Sequence, residues 1–258
     1  MVGDIFMKYH LNRFIFGGAI PMKILYFAQS IDFEGIRGAS IHVREVTKNL
    51  VKNNDVILIC KINNIQQNIN NLIIKKVRYL EFPYLQKITS ILYSFLIGLI
   101  SIIVYRPDVV YQRAYIFDPA VIFKKIIGIP LIEEVNGLVL DERVDLTKYR
   151  RWIYKHLENF SLHSADMIIA VTPGIKKQLQ KMYNIQSNKI IVIPNGANTD
   201  FFKSIDIIKS RKELKLDQNN MYIGFVGSLY FWQGIEYLIQ AAPFILEKHP
   251  NTRFLIVG

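Results

Sequence analysis

The residues with the clearest chemical pattern lie near the end of the chain. Gly227 and Ser228 break the short apolar run Tyr222 to Val226, and Gln233 and Gly234 follow just ahead of a helical pattern that continues to about Lys248. Arg253 to Val257 reads as the next buried strand. Strand, glycine turn, helix and strand in this order aim backbone N–H groups and a helix N-terminus at one place, the arrangement that holds a phosphate or diphosphate.

A second turn of this kind stands near the other end. After the strand Lys23 to Phe27, the loop Gln29 to Ser40 carries Gly35 and Gly38 and leads into a helix reaching about Lys52. Its apolar positions Ala39, Val43, Val46 and Leu50 recur at helical spacing, which leaves His42, Glu45, Lys48 and Asn49 for other faces. The loop therefore sits at the carboxyl end of a first strand, where open α/β sheets bind ligands, although a plain βα turn has the same pattern. There is no G-x-G-x-x-G, which argues against a dinucleotide oxidoreductase.

The third candidate group closes the strand Leu131 to Val135, which runs into EEVNG. Glu133 and Glu134 are neighbours on a strand, point to opposite faces and cannot form a catalytic pair with each other. One of them can face a cleft; an acidic strand end exposed to solvent is the competing reading. Asn136 can donate and accept hydrogen bonds but does not titrate. Arg113, in YQRAY at the end of the preceding strand, joins the candidates.

These groups need a common scaffold, and the chain supplies one. Buried strands are expected at Val56 to Cys60, Leu72 to Val77, Asp108 to Tyr111, Asp166 to Val171 and Lys189 to Ile193, with helices between them, one starting at Thr172 and Pro173. The pattern predicts an α/β protein with a doubly wound parallel sheet. The Asn-rich loop INNIQQNINN is given no function, and Pro194, Asn195 and Gly196 punctuate the passage to a second domain.

The spacing of Gly227 and Gly234, with IIVIPNGANTDFF upstream, resembles the donor-diphosphate loop and interdomain connection of family 4 glycosyltransferases of the GT-B fold. The resemblance covers most of the chain from Met22 onward and implies three parts. Residues 1–21 are an extension or a mispredicted start, 22–198 an acceptor-side domain, and 199–258 the opening β-α-β unit of an incomplete nucleotide-sugar-binding domain. It implies a retaining transfer of a sugar from a nucleotide-diphosphate sugar to a glycan or lipid-linked acceptor, with no bound metal or other cofactor. Gly38, Asn195, Gly196, Gly227, Ser228, Gln233 and Gly234 are then donor-binding, Asn136 and Glu134 catalytic, and Arg37, His42 and Arg113 acceptor-side or loop residues. The family usually carries basic residues at the places of Ser228 and Gln233, and a histidine at that of Asn136. The chain stops before the family's pair of nucleotide-binding glutamates, so these 258 residues are expected to be inactive or very weak alone.

Composition narrows the partners. A net charge of +11, from 32 basic and 21 acidic residues, suits a nucleotide diphosphate, an anionic membrane or nucleic acid. No nucleic-acid module is recognisable, and the positive charge is dispersed. One cysteine, Cys60, excludes a disulfide framework within the chain and fits a cytosolic setting. Lys8 and Arg13 ahead of Phe14 to Ile20 make a poor signal peptide.

The most apolar segment, Ile88 to Val104, is near the ~17-residue lower limit of a membrane span. Its position between strands favours a packed helix over an interfacial or spanning one. RVDLTKYRRWIYK, from Arg143 to Lys155, interleaves five basic residues with Tyr149, Trp152 and Tyr154, and can lie on an anionic membrane, line an acceptor groove or be a solvated helix. Peripheral attachment to the inner face of the plasma membrane is the corresponding expectation. A nucleotide-sugar epimerase and a non-catalytic membrane-associated subunit are the competing functional readings.

Overall fold

The computed structural model describes residues 21–62, 69–78, 82, 85–114, 119–142, 146–230 and 233–258. The expectation for residues 1–20 lies outside the described residues, as does much of the Asn-rich loop. The chain divides into two compact units, Met1–Asn195 and Gly196–Gly258.

The first unit is an α/β sheet of seven parallel strands in the order β3-β2-β1-β4-β5-β6-β7. These are β1 (Lys23–Asp32), β2 (Asp55–Lys61), β3 (Leu72–Lys76), β4 (Val109–Arg113), β5 (Leu131–Val135), β6 (Met167–Ala170) and β7 (Ile190–Val192). The helices between them are α1 (Gly38–Leu50), α2 (Leu85–Tyr105), α3 (Pro119–Ile127), the short α4 (Val139–Glu142), α5 (Lys148–Ser164) and α6 (Pro173–Tyr183). The central strands read as continuous apolar runs because both of their faces are covered. On one face Leu25, Phe27, Ile59, Val110 and Leu131 pack with Ile102 of α2, Phe123 of α3 and Leu162 of α5. On the other, Ile24, Tyr26, Leu58, Val109 and Ile132 pack with Val43 of α1. Cys60, inside β2, is free and fully buried, and burial, reinforced by Asp32 and Glu34, pushes its thiol up to about 12.

One local expectation is corrected. β1 does not stop at Phe27 but continues to Asp32, which pairs with Lys61 after a register irregularity beyond Ala28. α1 turns its apolar positions to the sheet as expected, with Val43 buried and Val46 and Leu50 packed against the core, and buries Ser40 and Thr47 beside them. α6 begins as expected: the Thr172 hydroxyl accepts from Ile175 N at 3.1 Å, and Pro173 fills the first helical position, where no N–H partner is lost.

α2 is apolar all round, yet only one side of it is packed. Gly98 lets it close on the sheet: a Cβ there would lie 2.6 Å from Phe27 and 2.7 Å from Phe123. The opposite side leaves Leu85, Ile88, Leu92, Leu96 and Ile103 exposed, Leu92 by 62% and Ile103 by 66%. Among the described residues, Ile88–Tyr105 is the one helical stretch long and apolar enough to cross a membrane, and 22% of it is buried.

The second unit contains α7 (Ile207–Glu213), β8 (Met221–Val226), α8 (Ile235–Lys248) and β9 (Thr252–Val257). β8 and β9 pair in parallel from Met221↔Thr252 to Val226↔Val257, which makes β8-α8-β9 a β-α-β unit. Among its described residues Thr252 alone is buried.

Candidate active site

The sheet order reverses direction between β1 and β4, and a crevice beyond the carboxyl ends of the strands at such a point is where open α/β sheets take ligands. The sequence places side chains that can do chemistry there. Glu134, one residue from the end of β5, is 2% exposed. The strand register sets it opposite Arg113, the last residue of β4, and Arg113 Nη1 lies 3.2 Å from Glu134 Oε1. Alternation along β4 puts Tyr111 on the same face as Arg113, and its hydroxyl donates to Glu134 Oε2. Asn136, two residues beyond Glu134, donates its side-chain amide to Oε1. His42, one turn into α1, brings Nε2 to 2.8 Å from the same oxygen.

One carboxylate on β5 thus gathers four groups from β4, α1 and the turn after β5. Burial pushes the Glu134 carboxyl up, but His42, Tyr111 and Asn136 together outweigh burial and hold it below the ordinary value of 4.5. It is a carboxylate at neutral pH. Tyr111 and Tyr26, whose rings lie 4.6 Å apart, are raised chiefly by burial and then by the Glu134 charge, so both remain phenols. The Tyr26 hydroxyl has no partner, and Gln29 on β1, 3% exposed, has none for either end of its amide among the described residues.

Exposure of the acidic strand end is overturned by this geometry: both glutamates are buried. Glu133 faces the other way and accepts from Ser161 Oγ of α5 at 2.9 Å, which separates its role from that of Glu134. The loop before α1 is fixed by Arg44, whose Nη1 donates to Phe33 O at 2.6 Å and Gly35 O at 2.7 Å. Gly38 opens α1 with nothing within 4 Å of where a Cβ would stand, and Arg37 beside it is exposed and makes no capping bond through its side chain.

The remaining candidates belong to the passage between the units and to the second unit. Asn195 and Gly196 are exposed where one unit ends and the next begins. Gly227 does not offer its amide, since its N–H donates to Val257 O at 2.9 Å; the Gln233 amide is likewise spent on Tyr230 O at 2.9 Å. The amides of Ser228 and Gly234 have no protein acceptor among the described residues. Gly234, at φ +71°, turns the chain left-handed into α8 and leaves the N–H groups of Ile235 and Glu236 open to an anion, while the Tyr237 N–H donates to Gly234 O at 3.0 Å.

Of the sequence candidates, the structure brings Glu134, Asn136, Arg113 and His42 together on one carboxylate, with Gly38 and Arg37 at the start of the helix that delivers His42. Tyr111, Tyr26 and Gln29 were missed. The alternation of Tyr111 with Arg113 was the signal available for the first.

The model of Glycosyltransferase Family 4 matches residues 36–201, a stretch that includes His42, Arg113, Glu134 and Asn136. An uncharacterized glycosyltransferase of Methanocaldococcus jannaschii is 25% identical over 235 residues, covering 86% of this chain and 59% of its own length. The Escherichia coli UDP-Gal:alpha-D-GlcNAc-diphosphoundecaprenol alpha-1,3-galactosyltransferase is 28% identical over 139 residues, 52% of this chain and 35% of that one. Among solved structures, sucrose-phosphate synthase from Thermosynechococcus elongatus superposes with a TM-score of 0.74 at 16% identity, over 92% of this chain and 62% of that one. The chain therefore spans less than two thirds of the length of these relatives.

Proposed function

The chain belongs to Glycosyltransferase Family 4, and on that premise we propose that the protein moves a hexose from a nucleotide-diphosphate sugar to a hydroxyl of a glycan or lipid-linked acceptor, with retention at the anomeric carbon. The observation that carries this is the convergence of His42, Arg113, Tyr111 and Asn136 on the Glu134 carboxylate, at the ligand-binding edge of the sheet and within the matched residues. The donor diphosphate is assigned to the turn before α8, where the Ser228 and Gly234 amides and the helix N-terminus supply partial positive charge. Ser228 and Gln233 add neutral hydrogen bonds where a cation would give stronger ones, a difference of roughly 1 kcal/mol for each contact. The E. coli relative uses a UDP-sugar and a diphosphoundecaprenol acceptor by its name, which supports a lipid-linked acceptor and a place in cell-envelope polysaccharide synthesis.

The test is release of free nucleotide diphosphate by the full-length protein, offered UDP-galactose or UDP-glucose with and without a diphosphoundecaprenol-linked N-acetylglucosamine. Acceptor-dependent release that is lost in Gly227→Asp, which sets a carboxylate beside the diphosphate, is the expected result. No release with either donor would remove the transfer reading in favour of a non-catalytic subunit.

The exposed stripe of α2 favours an accompanying reading, that the protein rests peripherally on the inner face of the plasma membrane. Leu85, Ile88, Leu92, Leu96 and Ile103 form one apolar line, and α5 presents exposed Arg150, Arg151, Trp152 and Lys155. The chain is expected to float with vesicles of phosphatidylcholine and phosphatidylglycerol at low salt. Leu92→Lys with Leu96→Lys should abolish flotation and Arg150→Ala with Arg151→Ala should weaken it; flotation unchanged in both pairs would sink this reading.

A further inference from the structure

We propose that His42 is the residue that binds the attacking hydroxyl of the acceptor, through Nδ1, and that Glu134 is the positioning residue that holds its ring. This deepens the sugar-transfer reading and rests on it. The two ring nitrogens have different surroundings. Nε2 is buried and faces a carboxylate oxygen 2.8 Å away, and a carboxylate stabilises the tautomer that carries its hydrogen on the nitrogen nearer to it. Nδ1 has no protein partner among the described residues, and the side chain keeps 18% of its surface exposed. The ring is therefore fixed on its inner side and presents a lone pair on its outer side, at the end of the sheet where ligands bind.

The other groups around Glu134 have different parts. Asn136 gives one amide N–H to Glu134 Oε1 and keeps its carbonyl oxygen, a weakly basic acceptor that can hold a hydroxyl alongside, and the Tyr111 hydroxyl is turned inward to Oε2. Arg113, although 18% exposed, has donors only and cannot accept a hydrogen bond from a hydroxyl. Among the described groups that contact Glu134, His42 alone can offer a hydroxyl an imidazole lone pair. The arrangement follows a general logic, in which a buried carboxylate sets the tautomer and direction of an imidazole whose second nitrogen meets a hydroxyl. The ligand it selects is a neutral hydroxyl, as on a sugar or polyol, with the Arg113 guanidinium alongside.

The experiment replaces His42 in the full-length protein in two ways that preserve one nitrogen position each. The asparagine side chain places a polar atom near the site of Nδ1, and glutamine reaches the site of Nε2. If Nδ1 binds the acceptor, His42→Gln loses about tenfold or more in kcat/KM for the acceptor, His42→Asn retains most of it, and the donor KM is unchanged in both. Glu134→Gln lowers acceptor kcat/KM as well, and the imidazole 15N spectrum reports why. The wild-type ring carries its hydrogen on Nε2, and the variant loses that preference. Greater activity in His42→Gln than in His42→Asn, or a wild-type ring protonated on Nδ1 alone, would overturn the assignment while leaving sugar transfer intact. A wild-type protein that releases no diphosphate overturns both.

Discussion

At the scale of single residues, Glu134 decides the character of the site. Its carboxylate is buried, and removing its charge leaves the Arg113, Asn136 and Tyr111 donors with a poorer acceptor. Glu134→Gln is therefore expected to lower stability by about 1–3 kcal/mol at neutral pH, measured by urea unfolding. The pH dependence has a definite sign. The folded-state carboxyl titrates below the ordinary 4.5, so its contribution is fully present above pH 4.5 and is lost as pH falls through the lower folded value. The wild-type protein should lose stability across that acid window more steeply than Glu134→Gln; parallel curves would contradict the assignment. Glu134 and Asn136 were legible because EEVNG ends a strand, and strand ends are where such sheets bind ligands. For Tyr111 only the shared face with Arg113 was legible; its partner was not, because the pairing of Gln112 with Glu133 and Arg113 with Glu134 brings β4 and β5 into the register that seats it, and no local pattern encodes register between strands.

At the scale of elements, the alternation of β-branched runs with turn residues was enough to place the strands and to show that the sheet is parallel and doubly wound. Ends were less legible. Gln29 and Ser30 have turn-like composition, yet β1 carries on through them because Asp32 still finds Lys61 on β2. α2 posed a different difficulty: a helix apolar on every side has no sequence signal for which side is packed. The packed side is defined by Gly98, whose closeness to Phe27 and Phe123 no larger residue can match. Gly98→Val is expected to cost about 1–3 kcal/mol through overpacking, read by the same unfolding curves. A stability equal to wild type would mean that α2 moves freely over the sheet.

At the scale of the whole molecule, the two units differ in how much they bury. The first has an apolar core on both faces of its sheet; in the second, Thr252 alone is buried among the described residues, and a parallel pair of strands with so little cover is marginal in water. Amide hydrogen exchange followed by mass spectrometry should find β1, β2, β4 and β5 protected far longer than β8, α8 and β9 in the 258-residue chain. Equal protection would show that the second unit has stability beyond what its burial supplies.

The sole cysteine gives the same contrast a chemical handle. Cys60 sits in the middle of β2 with its thiol pushed up to about 12, so an alkylating reagent at neutral pH meets almost no thiolate and no accessible sulfur while the sheet is closed. Its modification therefore records the separation of β2 from its neighbours, and the labelling rate, compared with that of the unfolded chain, becomes a direct gauge of how often the central layer comes apart.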